Sequence, residues 1–372
     1  MPSAIVVGSG VFGASLALRL TLDGWKVTLV DQYPPGHVRA ASGGESRLIR
    51  FGHGDERWYT RSAWRARDLW CELEEASGAR LLEQTGLVWL AHREGGWEAR
   101  SELVLAEERI PCARLSPDET ADLFPNLSTE DVEFALLEPE AGILRASEAV
   151  RVLVAQALQH GARFVGGQAR PSGDTAEVGG DRLGGDRVVW ACGAWLPRLF
   201  PELVRLRVTQ QDVLFFGAPI EWQTPPVPAW VDYDRAFYGH GDLDGRGVKI
   251  AVDLEGPPFD PEHDPRVIHA GAEERARAAM AERFPALAAA PLVYTRTCPY
   301  ALTDDTNFII SPHPGHERVW LLGGGSGHGF KHGPALGEYV ARLLAGEDEP
   351  DPRFGLGPRR PAGNLRTAGT GR

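Results

Sequence analysis

A cysteine and a glycine-rich segment near the end of the chain are the residues whose types and spacing point most directly to redox chemistry. Cys298 opens the tripeptide CPY, and the segment 323–333 that follows reads GGGSGHGFKHG. The apolar run 319–322 and the helical pattern 335–344 predict a strand, a glycine loop and a helix. Such glycines let backbone approach a flat ring, and the helix N-terminus favours negative charge, as on a reduced flavin. A plain strand-to-helix connection is the alternative.

The first residues of the chain carry a second glycine motif, GSGVFG, with Gly8, Gly10 and Gly13 in the spacing G-x-G-x-x-G. The apolar run 4–7 before it predicts a buried parallel strand, and the pattern of 14–22 predicts a helix. In this motif the glycines allow a tight turn, approach of a pyrophosphate and close packing of the helix on the strand. The segment therefore predicts a dinucleotide site.

An acidic residue follows the second predicted strand, 26–30, at the position where it would bind a ribose hydroxyl. Asp31 lies about 20 residues after the glycines, the spacing expected for a contact with the 2′-OH. This contact favours NAD or FAD over NADP. The late glycine loop beside Cys298 then favours a flavin, because nicotinamide enzymes rarely need the chain to return to the cofactor.

Length and composition limit the function classes. The chain has 372 residues, 43% of them hydrophobic, with 11 Trp, which is enough for large cores. No apolar run reaches the ~18 residues that a membrane span needs. The net charge of −12 argues against binding nucleic acid or an anionic membrane surface.

The cysteines and histidines suggest neither a disulfide scaffold nor a metal site. The four cysteines, Cys71, Cys112, Cys192 and Cys298, show no CxxC spacing, which fits a reducing cytoplasm. Cys192 lies in a strand on the adenosine side and is interpreted as structural. The 11 histidines show no HExxH or similar spacing, so no metal is predicted.

The middle of the chain adds further elements to the predicted fold. Sequence patterns predict helices at 61–76 and 147–160, strands at 86–91, 163–170 and 187–195, and a glycine-rich turn at 179–185. Ser147 is the expected N-cap of the second helix and Gly161 its C-cap. The strand signals at 206–216 and 246–252 flank proline-rich loops at 219–230 and 256–265, and they break the strand-helix alternation. They indicate a second, mixed or antiparallel sheet.

With these motifs in place, the chain resembles the monomeric sarcosine oxidase family, within the glycine oxidase and D-amino acid oxidase group of flavoenzymes. The resemblance covers nearly the whole chain up to residue 345. It rests on GSGVFG, ASGGESRLIRFGH, VVWACGAW, FYGHGDLDGRGVKI, TCPYALTDDTNFII and GGGSGHGFKHGP. The ESRLIR stretch and the CPY-to-GHGFK pair are the specific parts.

The resemblance implies an α/β, two-domain flavoprotein, with a Rossmann-like FAD-binding domain and an inserted mixed or antiparallel-sheet substrate domain. The FAD-binding domain would comprise residues 1–85, 145–205 and 294–345. The substrate domain would comprise 86–144 and 206–293. The Pro-, Gly- and Arg-rich tail, 346–372, is expected to be disordered. The family also implies a monomer.

Two residues match family positions with a role at the flavin itself. Cys298 matches the cysteine that carries FAD through its 8α-methyl group, as a covalent thioether. A lone cysteine is otherwise more often a small buried hydrophobe. Lys249 matches the lysine placed where oxygen is reduced, and a fixed cation there would stabilise developing superoxide. A surface lysine at a strand edge is the alternative for Lys249.

The other implied positions concern the cofactor and the substrate. Arg47 matches a residue close to the flavin ring, and Arg50 and Lys331 match residues that hold a substrate carboxylate, which suits their charge. Tyr238 and Tyr300 match tyrosines of the substrate pocket, with Tyr300 and Arg47 also counted as catalytic. The full cofactor-binding set is Gly8, Gly10, Phe12, Gly13, Asp31, Ser46, Arg47, Cys298, Gly325, Gly327, Gly329, Phe330 and Lys331.

The chain departs from the family pattern at two places. Asp253 stands where the family has a histidine, four residues after Lys249, and an acid there would repel a carboxylate or attract a cation. It is counted among the substrate-binding residues. The sequence GGES replaces a histidine-bearing stretch before Arg47. His240, close to Tyr238, is interpreted as a loop histidine with its hydrogen bonds satisfied.

The resemblance implies an FAD-dependent oxidase of a secondary amine or N-methyl amino acid. Hydride would pass from the α-carbon to flavin N5, the imine product would hydrolyse, and O2 would be reduced to hydrogen peroxide. Alternatives are an oxidase of a cyclic imino acid or a biosynthetic amine, and a flavin dehydrogenase with another electron acceptor. An NAD-dependent dehydrogenase and a non-catalytic flavin-binding protein are further alternatives.

Overall fold

The computed structural model of the chain describes residues 1–361. Its helices are α1 (Val11–Leu22), α2 (Arg57–Ser77), α3 (Trp97–Glu107), α4 (Pro117–Ala121), α5 (Ala146–Gln159), α6 (Leu196–Leu199), α7 (Ala272–Arg283) and α8 (Gly333–Ala345). Short 3-10 helices lie at Gly193–Trp195, Ile220–Trp222, Pro285–Leu287, Phe330–His332 and Pro352–Phe354.

The strands of the described residues, in chain order, are β1 (Ser3–Val7), β2 (Lys26–Asp31), β3 (Arg47–Ile49), β4 (Leu82–Glu83), β5 (Leu87–Ala91), β6 (Ala113–Leu115), β7 (Phe134–Glu138), β8 (Gly142–Leu144), β9 (Arg163–Gly166), β10 (Ala169–Ser172), β11 (Thr175–Val178), β12 (Asp181–Leu183), β13 (Arg187–Trp190), β14 (Arg207–Phe216), β15 (Ala229–Asp232), β16 (Phe237–His240), β17 (Val248–Val252), β18 (Leu292–Leu302), β19 (Ile309–His313) and β20 (His316–Gly323).

A six-stranded sheet in the order β19-β20-β13-β1-β2-β9 forms the base of the predicted dinucleotide site. Its strands are parallel except β19, which pairs antiparallel with β20. Burial of β1 on both faces explains its continuous apolar sequence. Helix α1 connects β1 to β2 and packs against α5 and α8. The predicted strand-helix-strand unit at the start of the chain is therefore confirmed.

An eight-stranded sheet in the order β18-β14-β17-β16-β15-β5-β7-β6 forms the second layer. Its strands are antiparallel except for the parallel pair β15 and β5, so the expectation of a mixed sheet is confirmed. The edge strand β18 pairs with β14 along its length, with Pro299 opposite Gln210. Strand β18 spans the start of the segment 294–345 that was assigned to the FAD-binding domain; the domain boundaries stay a prediction.

Two smaller sheets complete the fold. Strands β10, β11 and β12 form an antiparallel meander, and β8 pairs with β3 and β4. The predicted strand at 163–170 is divided into β9 and β10 because the chain turns at Gly167 (φ 157°). The predicted turn at 179–185 contains the short strand β12.

The predicted cap of α5 was wrong. The helix has Arg145 at its N-cap, and Ser147 lies inside the first turn. The Ser147 hydroxyl instead accepts a hydrogen bond from the Gly44 amide at 2.7 Å, which fastens α5 to the loop before β3. At the other end the C-cap is His160, and the predicted C-cap, Gly161, follows it with φ 106°. Helix α2 begins four residues earlier than predicted.

The expectation that the tail is disordered was wrong for the part that the structure describes. Phe354 is fully buried, and its ring lies 4.8 Å from that of Trp58. The Arg359 guanidinium donates to the Phe308 carbonyl at 3.0 Å and to Asp305 at 2.6 Å. One aromatic side chain thus anchors a segment whose composition suggests disorder. Residues 362–372 lie outside the described residues.

No helix in residues 1–361 is long and apolar enough to cross a membrane.

Candidate active site

A cleft runs from the carboxyl ends of β1 and β2 to the start of the second glycine loop. Most of the predicted cofactor-binding residues line it, from Gly8 and Asp31 at one end to Arg47, Tyr300 and Phe330 at the other. This is the edge of a parallel sheet where ligands bind in open α/β folds. The cleft therefore joins the two segments that the sequence marked as separate glycine motifs.

The three glycines of the first motif serve different steric purposes. Gly8 has φ 104°, and a Cβ there would lie 2.4 Å from the Ala191 carbonyl oxygen. At Gly13 a Cβ would lie 1.9 Å from the Gly8 carbonyl oxygen, so the helix could not pack on the strand. Gly10 has ordinary dihedral angles, and a Cβ there meets only the Ser42 hydroxyl, at 3.3 Å. The glycine at position 10 therefore leaves space open in the cleft, and the fold does not require it.

The carboxylate of Asp31 is held in place at the end of β2. It accepts hydrogen bonds from the Ser9 amide at 2.6 Å, the Ser9 hydroxyl at 2.8 Å and the Tyr33 amide at 2.9 Å. These bonds orient the carboxylate toward the glycine turn, where a ribose hydroxyl would lie. Cys192 lines the same end of the cleft, and its thiol contacts the Val7 carbonyl at 3.4 Å.

The second glycine motif closes the other end of the cleft. Gly327 has φ 74°, and a Cβ there would lie 2.6 Å from the Tyr300 ring. A Cβ at Gly329 would lie 2.7 Å from the Phe12 ring and 2.9 Å from the Gly325 Cα. The glycines therefore allow this loop to pack against both Phe12 and Tyr300. Phe330, stacked on Trp70 at 6.0 Å, also lines the cleft.

Arg47 is a half-buried cation at the end of the cleft. Its guanidinium donates to three backbone carbonyls, those of Ser46 at 2.6 Å, Ala41 at 2.6 Å and Gly43 at 2.8 Å. It also lies 3.4 Å from the Cys298 sulfur. Cys298 is 4% exposed and, with Arg47, Tyr238 and Tyr300, lines a smaller cavity next to the main cleft. The predicted attachment cysteine therefore lies at the expected end.

A second cation, Lys249 on β17, is buried beside Arg47. Its ammonium donates to the carbonyl and the hydroxyl oxygens of Ser46, each at 3.2 Å. The Ser46 hydroxyl lies 2.8 Å from His240 Nε2. Since His240 Nδ1 donates to the Gly241 carbonyl at 2.7 Å, Nε2 is the acceptor and the Ser46 hydroxyl is the donor. His240 thus directs the Ser46 oxygen lone pairs toward Lys249.

Burial and neighbouring charge act on both members of this arrangement. Burial, and next the positive charge of Arg47, lower the pKa of Lys249 to about 7. Burial, and next the charge of Lys249, lower the pKa of His240 to about 3, so the imidazole is neutral at physiological pH. The alternative of a surface lysine at a strand edge is excluded, because Lys249 is 2% exposed.

Of the predicted substrate-binding residues, Tyr238 and Tyr300 lie together at this end of the cleft. The hydroxyls of Tyr238 and Tyr300 are 3.5 Å apart, and the Lys249 ammonium lies 5.6 Å from the centre of the Tyr238 ring. Asp253 follows β17, and its amide donates to the Ala236 carbonyl. The side chain of Asp253 is 8% exposed.

The two predicted carboxylate anchors are both buried, Arg50 just after β3 and Lys331 in the 3-10 helix Phe330–His332. Arg50 donates to the Gly52 carbonyl at 2.8 Å, and its guanidinium lies 5.0 Å from the centre of the Trp89 ring. Lys331 donates to the His328 carbonyl at 2.8 Å. Both side chains are less than 5% exposed, so any ligand would reach them through the interior of the site.

Sequence reasoning missed Glu138, whose carboxylate is buried beside Arg50. It accepts hydrogen bonds from the amides of Phe51 and Gly52 and from Trp89 Nε1 at 2.6 Å. Burial raises its pKa, and the three donors oppose that shift. A single glutamate at the end of an apolar strand has no local signal, because its partners are about 50 to 90 residues away along the chain.

The cleft fits a dinucleotide with a flat ring system. The open space at Gly10, the acceptor at Asp31 and the cations at the far end match a pyrophosphate, a ribose and an electron-rich ring respectively. Fold and site together define an α/β dinucleotide-binding oxidoreductase. The chain belongs to the family of FAD dependent oxidoreductases, whose model matches residues 3–343.

Individual relatives narrow this class. The chain is 28% identical to a monomeric sarcosine oxidase from Bacillus sp. (strain B-0618), over 93% of each protein. It is 26% identical to an N-methyl-L-tryptophan oxidase from Salmonella arizonae, over 96% of this chain and 97% of that protein. The L-proline dehydrogenase from P. horikoshii has a similar fold, with a TM-score of 0.82 at 21% identity over 95% and 96% of the two chains. The resemblance seen in the sequence is confirmed.

We expect the glycine substitutions to separate cofactor binding from folding. Gly10→Ala should strongly lower the ratio of bound flavin to protein, because the methyl group fills cleft space, while the apoprotein keeps its melting temperature. Gly13→Ala should lower the melting temperature of the apoprotein itself, because its Cβ collides with the Gly8 carbonyl.

The measurements are flavin absorbance per chain and thermal unfolding followed by circular dichroism. Full flavin content in Gly10→Ala, or equal loss of apoprotein stability in both variants, would contradict this interpretation of the motif.

Proposed function

We propose that the protein oxidises the CH–NH bond of a secondary amine, such as an N-methyl amino acid, to an imine that hydrolyses in water. The observation that carries the proposal is the pair of cations, half-buried Arg47 and buried Lys249, beside Cys298 at the far end of the cleft. The relatives named for sarcosine and N-methyl-L-tryptophan oxidation support the same substrate class.

When bound, FAD would supply the redox chemistry by accepting a hydride from the substrate and passing electrons to O2. The residues proposed to hold it are Gly8, Gly10, Gly13 and Asp31 for the dinucleotide, and Phe12, Ser46, Arg47, Gly325, Gly327, Gly329, Phe330 and Lys331 for the rest of the molecule. Arg47 and Lys249 would favour negative charge on the ring.

The substrate is proposed to lie between the two tyrosines and the buried cations. Arg50 would bind the carboxylate with two parallel hydrogen bonds, and Lys331 would add a point charge. Tyr238 and Tyr300 would line the pocket and orient the amine. Asp253 would attract a cationic group of the substrate, which favours a substrate larger than sarcosine.

Lys249 is proposed as the residue that promotes reaction with O2. A cation held in a dry site stabilises the negative charge that develops on oxygen more strongly than it would in water. Ser46 and His240 would act as positioning residues, because the Ser46 hydroxyl accepts a hydrogen bond from the Lys249 ammonium and donates one to His240. The catalytic contribution of Lys249 then requires its protonated form.

The cellular setting is also proposed. The described residues include all four cysteines, and none of them forms a disulfide with another, as expected in a reducing cytoplasm. The relatives named as monomeric support a monomer. O2 is the proposed electron acceptor.

The function is tested with a panel of amines under aerobic conditions. The panel holds sarcosine, other N-methyl amino acids, cyclic imino acids and their primary-amine counterparts, with hydrogen peroxide as the readout. We expect peroxide from secondary amines and little from primary ones. Substrate-dependent reduction of a dye without peroxide would replace the oxidase by a dehydrogenase, and no flavin reduction by any secondary amine would contradict the proposed substrate class.

Lys249→Met should slow reaction with O2 by about 10²–10³-fold, since a preorganised electrostatic contact is lost, and should change flavin reduction much less. In the wild type the O2 reaction should slow as pH rises through about 7, because the charged lysine exists below its pKa. The variant should lack this pH dependence.

Anaerobic and aerobic stopped-flow measurements separate the two half-reactions. The matched control is Lys26→Met, which removes an exposed lysine at the start of β2. Equal losses in both half-reactions, or an unchanged pH profile in Lys249→Met, would contradict the proposed role.

We propose that FAD is attached to Cys298 by an 8α thioether. Acid precipitation of the wild type should then leave the yellow colour in the pellet, and Cys298→Ser should release it to the supernatant. Cys192→Ser is the matched control, because Cys192 lines the opposite end of the main cleft from the cavity that holds Cys298 and should not affect attachment. Flavin released from the wild type, or retained by Cys298→Ser, would contradict the attachment site.

A further inference from the structure

Three histidines from two distant parts of the chain meet in the interior, next to the proposed carboxylate anchors. They are His53, which follows β3, and His328 and His332, which flank Lys331. One ring nitrogen from each lies within 4.8 Å of the others, and all three residues are less than 8% exposed. This histidine cluster is absent from the roles proposed above.

Each ring of the histidine cluster is oriented by a hydrogen bond to one of its nitrogens. His53 Nδ1 bonds the Phe51 carbonyl at 2.9 Å, His328 Nε2 bonds the Thr306 carbonyl at 3.0 Å, and His332 Nδ1 bonds the Ser62 hydroxyl at 3.0 Å. A carbonyl only accepts, so the bonded nitrogens of His53 and His328 carry the protons. Their other nitrogens therefore hold lone pairs.

Two buried nitrogens of the cluster are left without a hydrogen bond within the protein. They are Nε2 of His53 and Nε2 of His332. A buried polar atom without a partner is destabilising. An apolar ring of the same size would fill the same space without that cost. Aromatic rings lie around the cluster, with the Phe308 ring stacked on that of His328 at 5.1 Å between ring centres.

We propose that the histidine cluster is a binding site for a single divalent transition-metal ion, of which Zn²⁺ is the best fit. Neutral imidazole nitrogen is a preferred ligand of Zn²⁺, and metal-binding histidines commonly donate their other N–H to a carbonyl, as His53 and His328 do here. The fourth position would be taken by water. This proposal does not depend on the proposed oxidase activity.

The geometry of the cluster is close to that of a three-histidine site. Ring centres lie 5.4 Å apart for His53 and His332, 6.2 Å for His53 and His328, and 6.0 Å for His328 and His332. Zinc–nitrogen distances of about 2.0–2.1 Å place tetrahedral ligands about 3.3 Å apart. Small rotations of the rings would bring the nitrogens from within 4.8 Å to that spacing.

The charges that face the cluster act in two directions. Burial, and next the charge of Lys331, lower the pKa of His53 and His332 well below the usual value for histidine, and Arg50 acts in the same direction. The same two cations repel a metal ion. We therefore expect weaker binding than at a dedicated structural zinc site.

The absence of a sequence signal has a simple cause. His328 and His332 are four residues apart around the 3-10 helix Phe330–His332, and His53 is 275 positions from His328 in the chain. The expectation of no metal rested on local spacing, which cannot register a ligand brought in by the fold.

The test uses the flavin-containing enzyme, treated with chelator and then titrated with Zn²⁺. We expect one zinc ion per chain after gel filtration, and a zinc X-ray absorption spectrum with scattering from three imidazoles. His53→Gln and His332→Gln should each lower zinc affinity by at least about tenfold. Ser62→Ala, which removes only the partner of His332, should lower it by about 10–100-fold.

The matched control is His160→Gln, which changes an exposed histidine at the end of α5 and should leave zinc binding unchanged. The flavin spectrum and circular dichroism of each variant show whether it is folded. The zinc X-ray absorption spectrum of the wild type tests the site even if the variants do not fold. No zinc retained by the wild type, a spectrum without three imidazoles, or wild-type zinc affinity in both folded histidine variants would overturn the proposal.

Discussion

The carbonyl group of Ser46 accepts hydrogen bonds from two cations, the half-buried Arg47 and the buried Lys249, and the arrangement of the site depends on this contact. Arg47 donates at 2.6 Å and Lys249 at 3.2 Å. Burial is the main reason that the pKa of Lys249 is lowered to about 7, and the positive charge of Arg47 acts in the same direction. The two cations therefore favour the binding of a negatively charged group at this end of the cleft.

The contacts of Arg47 also connect the loop before β3 to the eight-stranded sheet. Its guanidinium binds the backbone of the loop before β3 and approaches Cys298 on β18, the edge of the eight-stranded sheet. Gly44 of the same loop donates to Ser147 on α5. The loop is thus held from the helix side and from the sheet side, and the end of the cleft is fixed between them.

The sequence predicted the parts of this molecule whose signals are local. The first strand-helix-strand unit follows from an apolar run and three glycines within ten residues, and the second glycine loop follows from a similar pattern. The family resemblance located the cleft end, including Arg47 and Lys249. The N-cap of α5 was predicted wrongly because a local rule put Ser147 at the helix end, while Gly44, from a distant loop, takes its hydroxyl.

The remaining features arise from contacts between residues far apart in the chain. Ser46 and His240 are separated by 194 positions, and Glu138 meets Phe51 across 87. The order of the tail up to residue 361 depends on Phe354 reaching an aromatic group that includes Trp58. None of these pairings has a periodic or spacing signal, so only the packed fold brings them together.

Pro299 gives the outer side of β18 a protective property. The Gln210 amide, opposite Pro299, donates to the Pro257 carbonyl, so that residue pair does not share hydrogen bonds and the proline nitrogen faces away from the sheet. A proline in that position removes no hydrogen bond between β18 and β14, but it removes an N–H donor from the open edge of the sheet. Two residues later, the Ala301 carbonyl is taken by the Ser326 amide at 3.0 Å. The strand that carries the cysteine is thereby guarded against adding a foreign strand, and aggregation through this edge is discouraged.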